Sequence, residues 1–185
     1  MKGFDAVSVR SITGALGLNE ATLYIYYKNK SALMTEILER LERKLIIPGF
    51  QVPPPEWFAA KESFDLYTFL IDGAQRFFQR ADSEVLMIWR MLMISQYTFS
   101  SARDSIVQHL LDTPVCFFTA MLENMQKAGC IRQNVECRSL GQVIGSVFFD
   151  YSFRANLNEA WDIASDKEFS SLCEEIKQLA ALMQR

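Results

Sequence analysis

Apolar residues recur at helical spacing along nearly the whole chain. The breaks between them are caps, glycines and prolines, with no strand-like alternation. Val9, Ile12 and Leu16 stand at i, i+3 and i+7, which places them on one face of a short helix. Ser8 precedes that run, where its hydroxyl can accept from backbone N–H groups of the first turn. Gly17 ends it, in a place where a left-handed residue turns the chain sharply without a Cβ penalty. Asn19 is a second N-cap and opens a helix at Glu20. Leu23 and Tyr27 then face inward, while Glu20, Ala21, Thr22, Tyr24, Tyr26 and Lys28 point outward. Leu18 is expected to fill the angle between the two helices. Asn29 caps a third helix, whose apolar stripe is Leu33, Met34, Ile37, Leu38, Leu41 and Leu45. Gly14 weakens the first of these helices, since a mid-helix glycine costs roughly 1 kcal/mol relative to alanine.

Pro48-Gly49-Phe50-Gln51-Val52-Pro53-Pro54-Pro55 stops the third helix and forms a stiff connector. It divides a segment 1–47 from a body 48–185. The body also reads as helix throughout, so the chain is expected to be all-α. Trp57–Arg80 carries Phe58, Phe64, Tyr67, Phe69, Leu70, Phe77 and Phe78. Ser83–Tyr97 is apolar nearly all round, which predicts a helix buried on most sides. A long helix follows from about Ser101 to Ala128, with a kink expected at Pro114 and a C-cap at Gly129. Ser139–Leu157 and Asp166–Gln184 complete the set. Leu140, Val143, Ile144, Val147, Phe148 and Tyr151 make one face of the penultimate helix, and Gly141 and Gly145 beside them permit close helix approach. Phe169, Leu172, Cys173, Ile176, Leu179, Ala180 and Met183 make a stripe on the last. Such stripes suit a four-helix interface between two subunits, and they equally suit the core of one subunit.

Two short helices joined by a tight turn and ending in a basic, tyrosine-rich stretch have the layout of a helix-turn-helix, which places one helix in the DNA major groove. The string from Gly17 to Leu33, with Thr22-Leu23-Tyr24, Tyr26-Tyr27 and Lys30 at fixed offsets, resembles the signature of the TetR family of transcriptional regulators. Gly3-Phe4, Ser8-Val9-Arg10 and Ile12 extend the resemblance upstream, so that it covers roughly residues 3–40. It implies a DNA-binding segment 1–47 and a helical effector-binding and dimerisation segment 48–185. It implies phosphate contacts from Ser8, Tyr24, Tyr26 and Lys30, with Arg10 and Lys28 on the same surface. It implies base-edge readout from Glu20, Ala21 and Thr22. This division of labour suits the residue types, because hydroxyls and ammonium groups fix orientation on phosphates while the start of the second helix reaches base edges. Thr13, Gly14 and Tyr27 depart from the family pattern, and the family's first helix is expected to precede Gly3.

The resemblance also implies a homodimer on a double-stranded operator, with Leu140, Ile144, Val147, Phe148, Tyr151, Leu172, Ile176, Leu179 and Met183 at its interface. It further implies repression relieved by a small apolar or aromatic effector. Trp89, Met93, Gln96, Tyr97, His109, Phe117, Met121 and Phe148 are candidates to line an adaptable, mostly apolar pocket for that molecule, and their helical spacing suits ordinary core equally. The alternative is a ligand-binding or interaction module of the same fold that has lost DNA binding with the first helix.

Half the residues are hydrophobic and the net charge is −3, which argues against disorder. That charge is divided unevenly, with +2 in residues 1–47 and −5 in the rest. A small basic head on an acidic body suits contact with DNA at one end. No uninterrupted apolar run long enough for a bilayer and no signal peptide are evident, so a cytoplasmic location without membrane contact is expected. Four cysteines without close pairing and a single histidine give no metal or cofactor site of standard spacing. No nucleophile–base pair, paired carboxylates or phosphate-binding glycine loop can be assembled, so no catalytic role is expected.

Overall fold

The computed structural model describes residues 3–157 and 167–184, which form helices joined by turns. In chain order these are α1 (Val9–Ala15), α2 (Glu20–Tyr26), α3 (Lys30–Leu41), α4 (Ile47–Gly49), α5 (Pro55–Ala59), α6 (Leu66–Gln79), α7 (Ser83–Ser95), α8 (Ser100–Ile106), α9 (Thr113–Lys127), α10 (Cys137–Leu157) and α11 (Lys167–Met183). A 3₁₀ turn at Phe4–Ala6 precedes them. The all-α architecture expected from the periodicity is what the described residues adopt. Asp166, which the pattern gives to the last helix, lies outside the described residues.

The helix predicted over Trp57–Arg80 is two helices. Asp65 caps the second, accepting from the Thr68 N–H at 2.7 Å, and its carboxyl is held below the ordinary range first by hydrogen bonding from Thr68. The long helix beyond Ser100 meets Pro114 after a π-helical stretch at Val107–Asp112. Such a widened turn is a usual way for a helix to take up a break in its i→i−4 ladder. By length and composition alone the run Ser100–Lys127 could cross a bilayer, although Arg103, Asp104 and Asp112 interrupt its apolar residues. Ala102, Ile106, Phe118, Met121, Leu122 and Met125 within it are buried in the protein. At its end Gly129 adopts φ 75°. The Gly129 and Cys130 N–H groups close back on the carbonyls of Gln126 (3.0 Å) and Met125 (2.9 Å), which is a Schellman cap.

The chain folds as two compact units. One comprises residues 1–47 and 81–108, the other 48–80 and 109–185. The first of these spans ends where the connector begins, at 47/48, and α7 with the start of the next helix is grouped with it.

In the first unit, Met34, Leu41, Leu45, Ile46, Val85, Ile88, Trp89 and Leu92 are buried. A polar fastening runs beside them. Lys44 donates to Asp82 and Glu84, both at 2.6 Å, and Arg40 pairs with Glu84. Hydrogen bonds to Asp82 and then Glu84 raise the Lys44 pKa, and the bond from Lys44 lowers both carboxyls. A lowered carboxyl adds stability that is present above its unfolded pKa and lost as the pH falls through the folded one. A raised lysine adds stability that is lost only as the pH climbs through its folded value. The network is thus complete across the neutral range and dissolves in acid and in strong base. The groups are solvent-exposed, so the effect is small and salt-sensitive. Lys44→Met is expected to lower the melting temperature at neutral pH, with the difference from the unmodified chain closing in acid and in high salt. A difference that is flat across a calorimetric pH series would show the network to be energetically silent.

In the second unit, Phe58, Leu66, Leu122, Ile131, Ile144, Ile176 and Met183 are completely enclosed or nearly so. Phe58 meets Trp57, Phe64 and Phe69 with ring centroids 5.1–5.7 Å apart, spacings at which edge-to-face aromatic pairs add to simple area burial. Gly141 and Gly145 do permit a close helix approach, and the neighbour is α9: a Cβ on Gly141 would lie 2.5 Å from Thr119 Oγ1. The C-terminal end of α11 is tied down by an Ile131–Gln184 bridge and by the Arg132 Nε donating to the Gln184 carbonyl at 2.7 Å.

Candidate DNA-binding surface

Local chemistry sets the shape of the α1–α2 corner. Ser8 Oγ accepts from the Ser11 N–H at 3.0 Å, and Asn19 Oδ1 accepts from the Thr22 N–H at 2.8 Å. Both are N-caps at the positions the sequence predicts. Gly17 has φ 67°, and the N–H groups of Gly17 and Leu18 return to the carbonyls of Gly14 and Thr13. Asn29 caps α3 through the Ala32 N–H at 2.8 Å.

Two details of the corner differ from the expectation. The inward face of α1 is not Val9, Ile12 and Leu16 alone: Thr13 is buried and Leu16 is 63% exposed. Thr13 is accommodated because its hydroxyl bonds back to the carbonyls of Val9 and Arg10, a local solution open to threonine in helices. Leu18, expected to plug the corner, is 45% exposed.

Most of the residues singled out for DNA contact are exposed. Ser8, Arg10, Glu20, Ala21 and Lys28 are exposed and Thr22 is half-buried. Tyr24 and Tyr26 are 49% and 76% exposed. Leu23 is buried beneath them and Tyr27 half-buried. Lys30 is half-buried, and its Nζ lies 4.5 Å from the centre of the Phe4 ring. Phe4 itself is buried. Its N–H donates to Ser95 Oγ at 2.9 Å, its ring meets Phe99 edge-on at 5.2 Å, and a Cβ on the preceding Gly3 would press on Ile94. Sequence reasoning missed this anchor, which joins residues 91 positions apart.

The nine interface candidates belong to the core of their own unit. Ile144, Tyr151, Leu172, Ile176 and Met183 are buried there, and Leu140, Val147, Phe148 and Leu179 pack against them. Leu140, Val147, Phe148 and Leu179 are half-buried within the chain. The apolar groups that α10 and α11 do present outward are Val143, Phe153, Leu157 and Leu182.

The effector candidates are divided between the two units. Trp89, Met93, Gln96 and Tyr97 lie in the first unit and His109, Phe117, Met121 and Phe148 in the second. Trp89, His109 and Met121 are buried, Tyr97 is 90% exposed, and Gln96 donates to the Met93 carbonyl. Phe117 and Phe148 pack on either side of Phe118 in the aromatic core. A cavity of about 240 Å³ lies instead between α10 and α11, lined by Val147, Asp150, Tyr151, Arg154, Glu168, Ser171, Leu172 and Glu175. It is charged where an apolar wall was expected. Arg154 bonds Asp150 at 2.7 Å, and that bond, followed by the more distant Glu168 and Glu175, raises the guanidinium pKa.

The sequence of residues 1–37 matches the family model described as bacterial regulatory proteins, tetR family. That span contains the Ser8, Asn19 and Asn29 N-caps, the Gly17 turn, the whole of α2 and most of α3. No curated protein matches the chain by sequence. Among solved structures, the chain resembles a Mesorhizobium loti MAFF303099 protein classed as a TetR-family transcriptional regulator, with a TM-score of 0.66 and 16% identity over 100% of this chain and 90% of that one. The structural likeness establishes the fold across the whole chain, and the sequence match places the capped corner and its exposed tyrosines within a known pattern. Residues 1–37 thus carry the sequence pattern of the tetR family of bacterial regulatory proteins, and the chain shares the fold of a protein classed in that family.

Proposed function

We propose that this regulator is a cytoplasmic, non-catalytic repressor that binds a pseudo-palindromic operator as a homodimer and is released by a small-molecule effector. The observation that carries the reading is the capped corner, in and beside which Ser8, Arg10, Tyr24, Tyr26 and Lys28 are all exposed. Hydroxyl and cationic groups in that arrangement suit phosphate oxygens, which fix the register of the helix on the duplex. A helix-turn-helix reader gains two half-sites about one DNA turn apart by pairing with its copy. For that pairing we assign the outward face of α10 and α11, with Val143, Phe153, Leu157 and Leu182, because the inward faces are used within the chain. An effector acts only through its differential affinity for the DNA-competent and DNA-incompetent arrangements.

Tyr26→Ala and Lys30→Ala are expected to weaken binding about uniformly across DNA sequences and to flatten its salt dependence, as the loss of a phosphate contact does. Fluorescence anisotropy at several salt concentrations measures both quantities. Unchanged affinity and slope in both variants would remove the phosphate assignment. Light scattering at micromolar protein should give a dimer mass, and a monomer mass would end the assignment of the outward face.

A further inference from the structure

Ile25 is 78% exposed near the C-terminal end of α2, between two tyrosines. At 100° per residue, Ala21 lies about 40° from it and Thr22 about 60° on its other side, so the three share the centre of the outward face. Leu23, on the opposite side, is buried. The Thr22 hydroxyl donates to Asn19 Oδ1 at 3.1 Å, so its proton is committed within the chain and its methyl group is the portion left for a partner. α2 reads Glu-Ala-Thr-Leu-Tyr-Ile-Tyr and contains no Arg, Lys, Asn or Gln. Those four types make the bidentate contacts that distinguish guanine and adenine in the major groove. What remains on this face is methyl and methylene surface, with Glu20, an acceptor, at one end.

We propose that Ile25 is a specificity-determining residue and that α2 reads its half-site chiefly through thymine 5-methyl groups, packed against Ala21, Thr22 and Ile25. Glu20 accepts from an exocyclic amine, that of cytosine above all, at the adjoining step. The occupant of this apolar face is thymine-bearing duplex DNA. The hydroxyl and basic side chains around the face complement the phosphates that flank a major groove, and water-exposed apolar groups on a reading helix match the one apolar substituent that the groove offers. This inference rests on the proposed DNA-binding function and specifies its chemistry.

The test uses the full chain and a pool of random-sequence duplexes long enough for two half-sites. An enriched duplex is resynthesised with deoxyuridine in place of thymidine, one position at a time. The exchange removes the methyl group and keeps every hydrogen-bonding atom. At one or two thymines per half-site the affinity should fall about fourfold, the value of one buried methyl-sized group. Ile25→Ala, a change at an exposed site, should bind the thymidine and deoxyuridine duplexes alike while keeping the salt dependence of the unmodified chain. Equal binding of both duplexes by the unmodified chain, or undiminished discrimination by Ile25→Ala, overturns the proposal and leaves the regulator reading standing. A pool from which no duplex is enriched overturns the regulator reading, and this proposal with it.

Discussion

Gly141→Leu is expected to destabilise the second unit by about 3 kcal/mol or more. α10 lies so close to α9 that even a single Cβ at this position would sit 2.5 Å from Thr119 Oγ1, 2.8 Å from its backbone N and 3.0 Å from its Cα. The hydroxyl can rotate away, but the backbone of α9 can yield only if the two helices separate. Separation opens the core formed by Phe118, Met121, Leu122, Ile144 and Tyr151, all of which are buried. Overpacking of a filled site costs about 1–3 kcal/mol and sometimes more, against a total stability of about 5–15 kcal/mol for a typical domain. Leucine at the closest contact belongs at or above the top of that range. Gly145 supplies the comparison, since its nearest neighbour would be the Val115 Cγ2 at 3.3 Å, the end of a side chain. Gly145→Ala should therefore cost about 1 kcal/mol or less. Urea unfolding gives both values, and a Gly141→Leu midpoint equal to that of the unmodified chain would show that the helices are not locked at this point.

The same pair of glycines shows where the sequence was informative and where it stopped. Glycines one helical turn apart announce a close helix approach, but spacing is silent about which helix approaches. The stripe of Ile144, Tyr151, Leu172, Ile176 and Met183 has the same limit: a period of 3.6 shows that a face is covered, and a partner subunit and a neighbouring helix cover it with the same chemistry. Ser8, Gly17, Asn19 and Asn29 were legible because each acts on backbone groups within a few residues, so the signal and its effect occupy the same short string. The Asp65 cap was equally local, with Thr68 as its partner, but a dense run of aromatic residues on both sides masked it as one long helix. The seating of Phe4 on Ser95 and Phe99, and of Lys44 on Asp82 and Glu84, left no trace in any local pattern. Those contacts join separate segments, and they account for α7 folding with the N-terminal unit. The charged cavity between α10 and α11 was hidden because its lining takes residues at i, i+3, i+4 and i+7 from each of two helices that were read for their apolar faces.

Gly17→Val should cost at least tenfold in DNA affinity. Gly17 holds φ 67°, and no atom lies within 4 Å of where its Cβ would be, so the penalty is purely one of backbone conformation. For an L residue the left-handed region costs roughly 1–2 kcal/mol, and β-branching makes it worse. Relief comes by abandoning the turn, which breaks the return bonds from Gly17 and Leu18 to Gly14 and Thr13 and frees α2 to leave the angle at which it meets DNA. About 1.4 kcal/mol spent on restoring that angle is a factor of ten in binding. Asparagine tolerates the left-handed conformation, so Gly17→Asn should bind within about threefold of the unmodified chain, given the few tenths of a kcal/mol involved. The pair separates two causes that one variant would confound. If both substitutions weaken binding equally, a side chain at this position obstructs the duplex and the backbone geometry is irrelevant. If Gly17→Val binds as tightly as the unmodified chain, the angle of the turn does not limit recognition, and α2 reaches its site by some other constraint than the glycine corner.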